Sequence, residues 1–421
     1  MHYDLLNNLL NVAKLVRDPL YKNSFFMAAT STFNAGCGFF FWMIAAKLYT
    51  VEEVGFATAL ISSVGLVVLF SRLGFDFSII RFFPTNDKTK VFGTSLVITT
   101  IASILVGATF ILLVKHLSPS LIFLKDPRYA LVFLLIGVVD SVATITGRAF
   151  YGNRNAEFYL FQNLFMALRI PLLIPLSFLG TFGILGSDGL SFLVASLYAL
   201  IVFRRSIASL RPIVDREFLK KSFKFSFWNY ISNILFTAPT LILPLMVLNT
   251  LGEIEAAKYY IAFAIGNFVL IIPNSLGTSL FVEGSHGVDL RKSALRAGGA
   301  SLAFLIPAVL VIFFLGEWLL GLLGGEYVEA LDLLRMLVLS SFLVTIYSLF
   351  IPIQNVRMKV KSMVKINLAR FVMLLVLSYI FVEKYGILGV GYVWLITYMV
   401  IALGIGWTLK RERCANQNRQ I

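Results

Sequence analysis

Few side chains in this 421-residue chain could make or break bonds. The three histidines, His2, His116 and His286, stand singly. Of the two cysteines, Cys37 falls in an apolar stretch and Cys414 in a basic tail, so neither a CxxC pair nor a disulfide is expected. A metal site needs clustered ligands, and hydrolytic or nucleotide-dependent enzymes need motifs such as GxSxG, HExxH, GxGxxG or a P-loop. None occurs, so no metal and no cofactor is expected and the chain reads as a non-enzyme. What stands out instead are charges inside apolar stretches: Asp140, Arg169, Arg335 and Arg370. In a low-dielectric setting their chemistry is recognition of opposite charge and, for Asp140, proton exchange.

The composition says which elements must hold those charges. Apolar residues make up 58% and charged residues 14%, with 39 Phe, and mean hydropathy is +0.86. Soluble chains carry about 25% charged residues. This balance excludes a soluble enzyme, a nucleic-acid binder, a disordered chain and a disulfide-rich secreted scaffold. It implies an all-α polytopic membrane protein.

About 20 apolar residues in a helix cross the hydrocarbon. Twelve stretches qualify: 24–47, 54–72, 92–114, 129–148, 158–178, 183–203, 225–248, 256–282, 299–322, 330–353, 366–382 and 386–409. They divide into an N-terminal six-helix bundle over 23–205 and a C-terminal one over 225–409, joined by a cytoplasmic linker over 206–224. Residues 410–421 form a basic tail. Residues 1–22 differ: Leu5, Leu6, Leu9, Leu10, Val12, Leu15 and Val16 recur at helical spacing among Asn7, Asn8, Asn11, Lys14 and Arg17. That pattern predicts an amphipathic helix in the membrane interface. A signal peptide fits less well, because the basic residues follow the apolar run.

The net charge of +14 then finds a place. With the N-terminus in the cytoplasm, 27 of the 36 Lys and Arg fall in cytoplasmic segments, six fall outside and three lie within spans. This satisfies the positive-inside rule with both termini cytoplasmic, and locates the protein in the cell membrane.

The chain also repeats itself. Residues 47–57, KLYTVEEVGFA, align with 247–257, VLNTLGEIEAA, at an offset of 200. Gly183-Ile184-Leu185-Gly186 recurs as Gly386-Ile387-Leu388-Gly389, each opening the last helix of its half. Two matches in the same order imply two parallel bundles related by an axis along the membrane normal, an arrangement used by transporters.

Residues 45–84 contain Glu53-Val54-Gly55, then Leu73-Gly74-Phe75-Asp76, then Arg81-Phe82-Phe83. This stretch resembles the opening of Wzx-type O-antigen and capsule flippases, members of the multidrug/oligosaccharidyl-lipid/polysaccharide exporter superfamily. Tyr385 to Gly389 and the twelve-helix layout extend the resemblance. It implies translocation, by alternating access, of an oligosaccharide or polysaccharide unit linked to a polyprenyl phosphate or pyrophosphate carrier. The implied surroundings are the lipid bilayer, with H+ or Na+ as candidate coupling ions. A monomer is expected, and no nucleic acid.

For such a substrate the polar head must cross about 30 Å of hydrocarbon, so intramembrane polar residues become the candidates. Asp140 and Arg169 sit at similar depth on adjacent helices. They read either as a buried ion pair, or with Arg169 binding an anionic head group and Asp140 serving coupling. Arg370 occupies nearly the same place in the second half. It could anchor by snorkelling to the cytoplasmic edge, or join Arg169 in a cationic lining. Arg72, Asp76 and Arg81 cluster at the inner end of the second helix, as a cytoplasmic gate or as a local salt-bridge knot. The resemblance implies that helices 1 and 7 line the cavity; there Asn34, Trp228, Asn229 and Asn233 suit sugar hydroxyls and sugar faces, or plain helix–helix hydrogen bonding. Pro239 and Pro244 should kink helix 7. Two alternatives stay open: a cation-coupled small-molecule exporter of the same superfamily, disfavoured because only Asp140 reads as intramembrane, and a polytopic glycan polymerase or ligase, disfavoured by short outer loops.

Overall fold

A computed structural model describes residues 19–285, 289–357 and 359–417. The expected interfacial helix lies outside the described residues up to residue 18, as does the end of the basic tail. Among the described residues every regular element is helical.

The chain opens with α1 (Pro19–Leu48) and α2 (Val51–Ser71), then a short α3 (Phe75–Phe82) and α4 (Lys88–Leu117). There follow α5 (Pro127–Gly152), α6 (Ala156–Met166), α7 (Arg169–Leu172) and α8 (Thr181–Ser206). The remaining helices are α9 (Arg216–Leu251), α10 (Glu253–Ser285), α11 (Leu290–Gly321), α12 (Leu331–Val356), α13 (Val360–Tyr385) and α14 (Ile387–Gln417). Caps set several starts. The side chains of Asp87, Asp126 and Asp289 accept backbone N–H groups at the heads of α4, α5 and α11. At α2, Thr50 N–H donates to Glu53 Oε2 at 3.0 Å and Glu53 N–H to Thr50 Oγ1 at 3.3 Å, a reciprocal cap.

Ten helical segments of the described residues are long and apolar enough to cross a membrane. Of the other two expected stretches, 24–47 lies within the 30-residue α1, whose apolar character is diluted by Thr30, Ser31, Thr32 and Asn34. The stretch 158–178 is not one helix but a broken one. By contrast α9 continues unbroken in helical assignment through Pro239 and Pro244.

Two compact units divide the chain: residues 1–44 with 64–230, and residues 45–63 with 231–421. In the first unit, Phe75, Ile79, Phe83, Phe92, Phe203 and Phe218 form a buried cluster, with Phe92 and Phe203 stacked at 3.8 Å. Small residues let its helices close up. Ser71 Oγ lies 3.0 Å from Ser141 Oγ, which donates to Ser103 Oγ at 3.2 Å. Gly74, at φ 83°, turns the chain between α2 and α3, where a side chain would meet Ser226 Cβ at 2.7 Å. In the second unit, Leu333, Leu334, Leu337 and Val338 of α12 are fully buried.

The internal repeat appears in the backbone with a changed register. The carbonyls of Thr50 and Gly252 accept the first helical bonds of α2 and α10, from Val54 at 3.0 Å and Ala256 at 3.1 Å. Gly180 (φ 57°) and Gly386 (φ 59°) open α8 and α14. Their carbonyls accept from Gly183 at 2.7 Å and Gly389 at 3.0 Å. The equivalent pairs are thus Thr50 with Gly252 and Gly180 with Gly386. Letter identity had paired Gly183 with Gly386, because both halves carry two glycines three residues apart.

Candidate functional site

The break in the fifth apolar stretch builds the site. Pro171 and Pro175 have no backbone N–H, so each strands the carbonyl four residues earlier. Those carbonyls find tighter partners: Ile170 N–H donates to Ala167 O at 3.0 Å, and Ile174 N–H to Pro171 O at 3.4 Å. The segment therefore runs as α6, the single turn α7 and a 3-10 turn over Ser177–Leu179. Arg169 sits at the break, on the first residue of α7.

Its guanidinium donates from Nη1 to Asp188 Oδ1 of α8 at 3.0 Å and lies 4.9 Å from the centre of the Phe41 ring. Asp188 is buried; Arg169 keeps 23% of its side chain exposed. Arg169 Nε is buried without a hydrogen-bond partner. The Asp140–Arg169 pair expected from sequence is therefore replaced by Arg169–Asp188. Asp140 instead accepts from Thr144 Oγ1 at 3.4 Å, one turn along α5. Asp188 was overlooked because it stands only a few residues into its apolar stretch, flanked by Ser187 and Gly189.

Arg169 opens onto a cavity of about 390 Å³ within the first unit. Asp140, Thr144 and Arg148 of α5 form one side; Tyr159, Asn163 and Met166 of α6 form another; Asn34 of α1, Arg72 and Phe192 complete it. Asn34 Nδ2 donates to Asn163 Oδ1 at 2.7 Å, and Asn163 Nδ2 donates to Tyr159 O at 2.7 Å. Arg72 donates to Asp76 at 3.4 Å, and Arg72 Nε and Asp76 Oδ1 are buried without partners. Three guanidiniums, Arg72, Arg148 and Arg169, thus share one wall system with one carboxylate, Asp140. Two more carboxylates, Asp76 and Asp188, hold arginines from behind.

Other expected members fall elsewhere. Arg81 is exposed at the end of α3 and does not join Arg72 and Asp76. Trp228 is exposed with its ring against Phe227. Asn229 and Asn233 are half-buried on α9 and stand outside the wall of the Arg169 cavity. Arg148, counted from sequence only as an orientation signal, is a wall residue.

Arg370 departs most from expectation. It neither snorkels nor lines the Arg169 cavity; it is 1% exposed inside the second unit. Nε donates to Tyr398 Oη at 2.8 Å and Nη1 to Phe236 O at 2.7 Å. The rings of Phe236, Tyr398 and Trp394 lie 4.7, 5.6 and 6.0 Å away. Near it, Tyr347 Oη donates to Asn367 Oδ1 at 2.7 Å, and Asn367 Nδ2 to Ser232 Oγ at 2.9 Å. Aromatic faces and neutral acceptors, with no carboxylate within ion-pairing distance among the described residues, hold this charge.

Comparison with known proteins agrees with the resemblance read from residues 45–84. No family model matches the chain. A Shigella flexneri protein named "Putative O-antigen transporter" is 27% identical over 207 residues, 47% of this chain and 49% of that protein. The chain thus spans about half the length of the curated relative it matches. Among solved structures, an inward-facing multidrug resistance MATE family transporter superposes with TM-score 0.73 at 18% identity, covering 91% of this chain and 95% of that one. The lipid II flippase MurJ, in an inward closed conformation, gives TM-score 0.71 at 15% identity, covering 91% and 87%. A transporter from Pyrococcus furiosus gives TM-score 0.59 at 16% identity, covering 94% and 95%.

Proposed function

We propose that this polytopic membrane protein, which has the fold of the multidrug/oligosaccharidyl-lipid/polysaccharide exporter superfamily, flips a lipid-linked oligosaccharide or polysaccharide unit across the cytoplasmic membrane by alternating access. The observation that carries this reading is the Arg169 cavity. Three guanidiniums converge there with amide and phenol groups, and Arg169 keeps 23% of its side chain exposed. Arginine forks suit phosphate oxygens, and Asn34, Asn163 and Tyr159 suit the hydroxyls of a glycan. The apolar carrier tail needs no protein path, because lipid already accommodates it. The distribution of basic residues supports cytoplasmic termini.

One observation favours a second reading. The argument against a cation-coupled small-molecule exporter was a single intramembrane carboxylate, and Asp188 supplies another beside Asp140. Both readings meet in one experiment. The chain is expressed in cells that lack their own flippase for a surface glycan, with glycan display and efflux of a cationic dye followed together. Flipping predicts restored display that Arg169→Gln combined with Asp188→Asn, which strands neither charge, abolishes while protein in the membrane is unchanged. Dye efflux that depends on Asp140 and Asp188, without restored display, would establish the exporter.

A further inference from the structure

The first helix passes Arg169 with a gap at one position. Asn34, Gly38 and Phe41 stand at i, i+4 and i+7 of α1, so they share one face. Contacts fix both ends of that face. Asn34 lines the cavity and donates to Asn163 Oδ1 at 2.7 Å. The Phe41 ring centre lies 4.9 Å from the Arg169 guanidinium carbon. Between them Gly38 is half-buried and presents no side chain. A Cβ added there would stand 4.0 Å from Arg169 Nη2. Beyond its own stretch of helix, no other atom of the described residues comes that close.

The other two nitrogens of the guanidinium are engaged or closed off. Nη1 donates to Asp188, and Nε is buried. Nη2, on the Gly38 side, donates to no group among the described residues. A guanidinium N–H takes a phosphate oxygen at about 2.7–2.9 Å. An oxygen that close to Nη2 fits in the space over Gly38, which a bulky side chain would fill. A neutral hydroxyl fits the same space with a weaker bond, so the arginine favours the anion.

We propose that the gap over Gly38 admits the phosphate of a polyprenyl carrier to Arg169 Nη2, and that Gly38 thereby determines whether an anionic head group is accepted. This rests on the reading of the Arg169 cavity as the head-group site.

Gly36 supplies the matched control. It lies about 200° around α1 from Gly38, and nothing stands within 4 Å of a Cβ added there. Both glycines have room, so neither leucine variant should melt below the parent, and this is measured alongside. Should Gly38→Leu melt lower, Gly38→Val is read in its place. The detergent-solubilised full chain is offered undecaprenyl phosphate and undecaprenol in equal amounts, and bound lipid is counted by native mass spectrometry. The parent should prefer the phosphate by roughly tenfold, the scale of one hydrogen bond to a charged group. Gly38→Leu should remove that preference and Gly36→Leu should keep it. Gly38→Ala, whose methyl makes only ordinary contact with Nη2, should keep most of it. No preference in the parent, a preference that survives Gly38→Leu, or equal loss in Gly36→Leu would overturn the proposal. Inorganic phosphate that raises the melting temperature as much as undecaprenyl phosphate does would overturn it in favour of a free anion. The same variants are then compared for surface glycan display in cells that lack their own flippase. Display restored equally by the parent, Gly38→Leu and Gly36→Leu would overturn the role of Gly38 and leave flipping standing. A Gly38-dependent preference without restored display would support the gap and remove flipping.

Discussion

Arg169 and Asp188 are joined at 3.0 Å across the break that Pro171 and Pro175 impose on the fifth apolar segment. The relationship explains how a guanidinium can stand at a polar cavity within hydrocarbon. One of its nitrogens is neutralised from behind, the Phe41 ring covers one side, and 23% of the side chain stays exposed. Removing one partner of a fully buried pair costs about 3–5 kcal/mol, most of it from the charge left behind. Arg169 is partly exposed, so about 1–3 kcal/mol is expected for Asp188→Asn, read as a lower melting temperature in detergent. Arg169→Gln combined with Asp188→Asn should recover most of that loss, because neither charge is then stranded. Surface glycan display should not recover in the double variant. If it does, the arginine serves folding and not recognition.

Asp140 gives the complementary case. Among the described residues its oxygen accepts only from Thr144, at a marginal 3.4 Å, and no cation lies within ion-pairing distance of it. Asp140→Asn should therefore melt within about 0.5 kcal/mol of the parent, as substitutions that break no specific partner do. A change in transport with an unchanged melt would assign Asp140 to coupling or substrate. A melt loss comparable to that of Asp188→Asn would show that Asp140 bears structural load instead.

Much of the architecture was legible because the bilayer imposes length and hydropathy on each span, and a charge within a span shows against an apolar background. Arg169, Asp140 and Arg370 stood out for that reason. Pairing was not legible: helical depth put Asp140 beside Arg169, but the proline break shifted the arginine toward α8. Arg72, Asp76 and Arg81 read as a gate or as a salt-bridge knot; Asp76 holds Arg72 at 3.4 Å, while Gly74 makes a left-handed turn against Ser226 and Phe75 belongs to the aromatic cluster. Of the three charged residues, Arg72 lines the cavity.

Gly55 shows a constraint that its neighbours in sequence conceal. A Cβ there would lie 1.9 Å from the carbonyl oxygen of Glu253, backbone against helix, so no side-chain rotation relieves it. Overpacking of this kind costs about 1–3 kcal/mol or more. Gly55→Ala should lower the melting temperature sharply. Gly299→Ala, where nothing lies within 4 Å of the added atom, should be neutral or gain up to about 1 kcal/mol from helix propensity. Equal behaviour of the two variants would argue against the Gly55–Glu253 contact.

Arg370 tests whether an uncompensated buried guanidinium is held by shape. Lys has one compact head and cannot reach both Tyr398 Oη and Phe236 O while stacking on the rings. Arg370→Lys should lose stability by about 2–4 kcal/mol despite keeping the charge, since a buried cation is left with unmade bonds. Tyr398→Phe removes a single bond to a charged group and should cost about 1.5–3 kcal/mol. A well-tolerated Arg370→Lys would mean that charge alone is required.

The segment between the two halves, residues 207–215, is fastened to the first unit. Asp215 N–H donates to Thr94 Oγ1 at 2.9 Å, Thr94 Oγ1 donates to Ile213 O at 3.1 Å, and Lys90 Nζ lies 3.3 Å from Asp215 Oδ2. Asp215 also caps α9 by accepting from Phe218 N–H at 2.8 Å. That backbone bond, followed by the Lys90 ammonium, holds the Asp215 carboxyl below its usual range. A depressed folded-state value means the fastening is complete above the unfolded carboxylate value of about 3.9 and is lost as pH falls through the lower folded one. Amide hydrogen exchange in residues 213–218, corrected for intrinsic rate, should stay constant from about pH 7 to about pH 5 and accelerate only below about pH 4. In Asp215→Asn the segment should exchange faster than the parent from about pH 7 to about pH 5 and show no acid step, since the amide keeps a weaker cap and loses the Lys90 pair. Acceleration in the parent already between pH 7 and 5 would place the controlling group elsewhere. The linker would then be held by something other than this carboxylate.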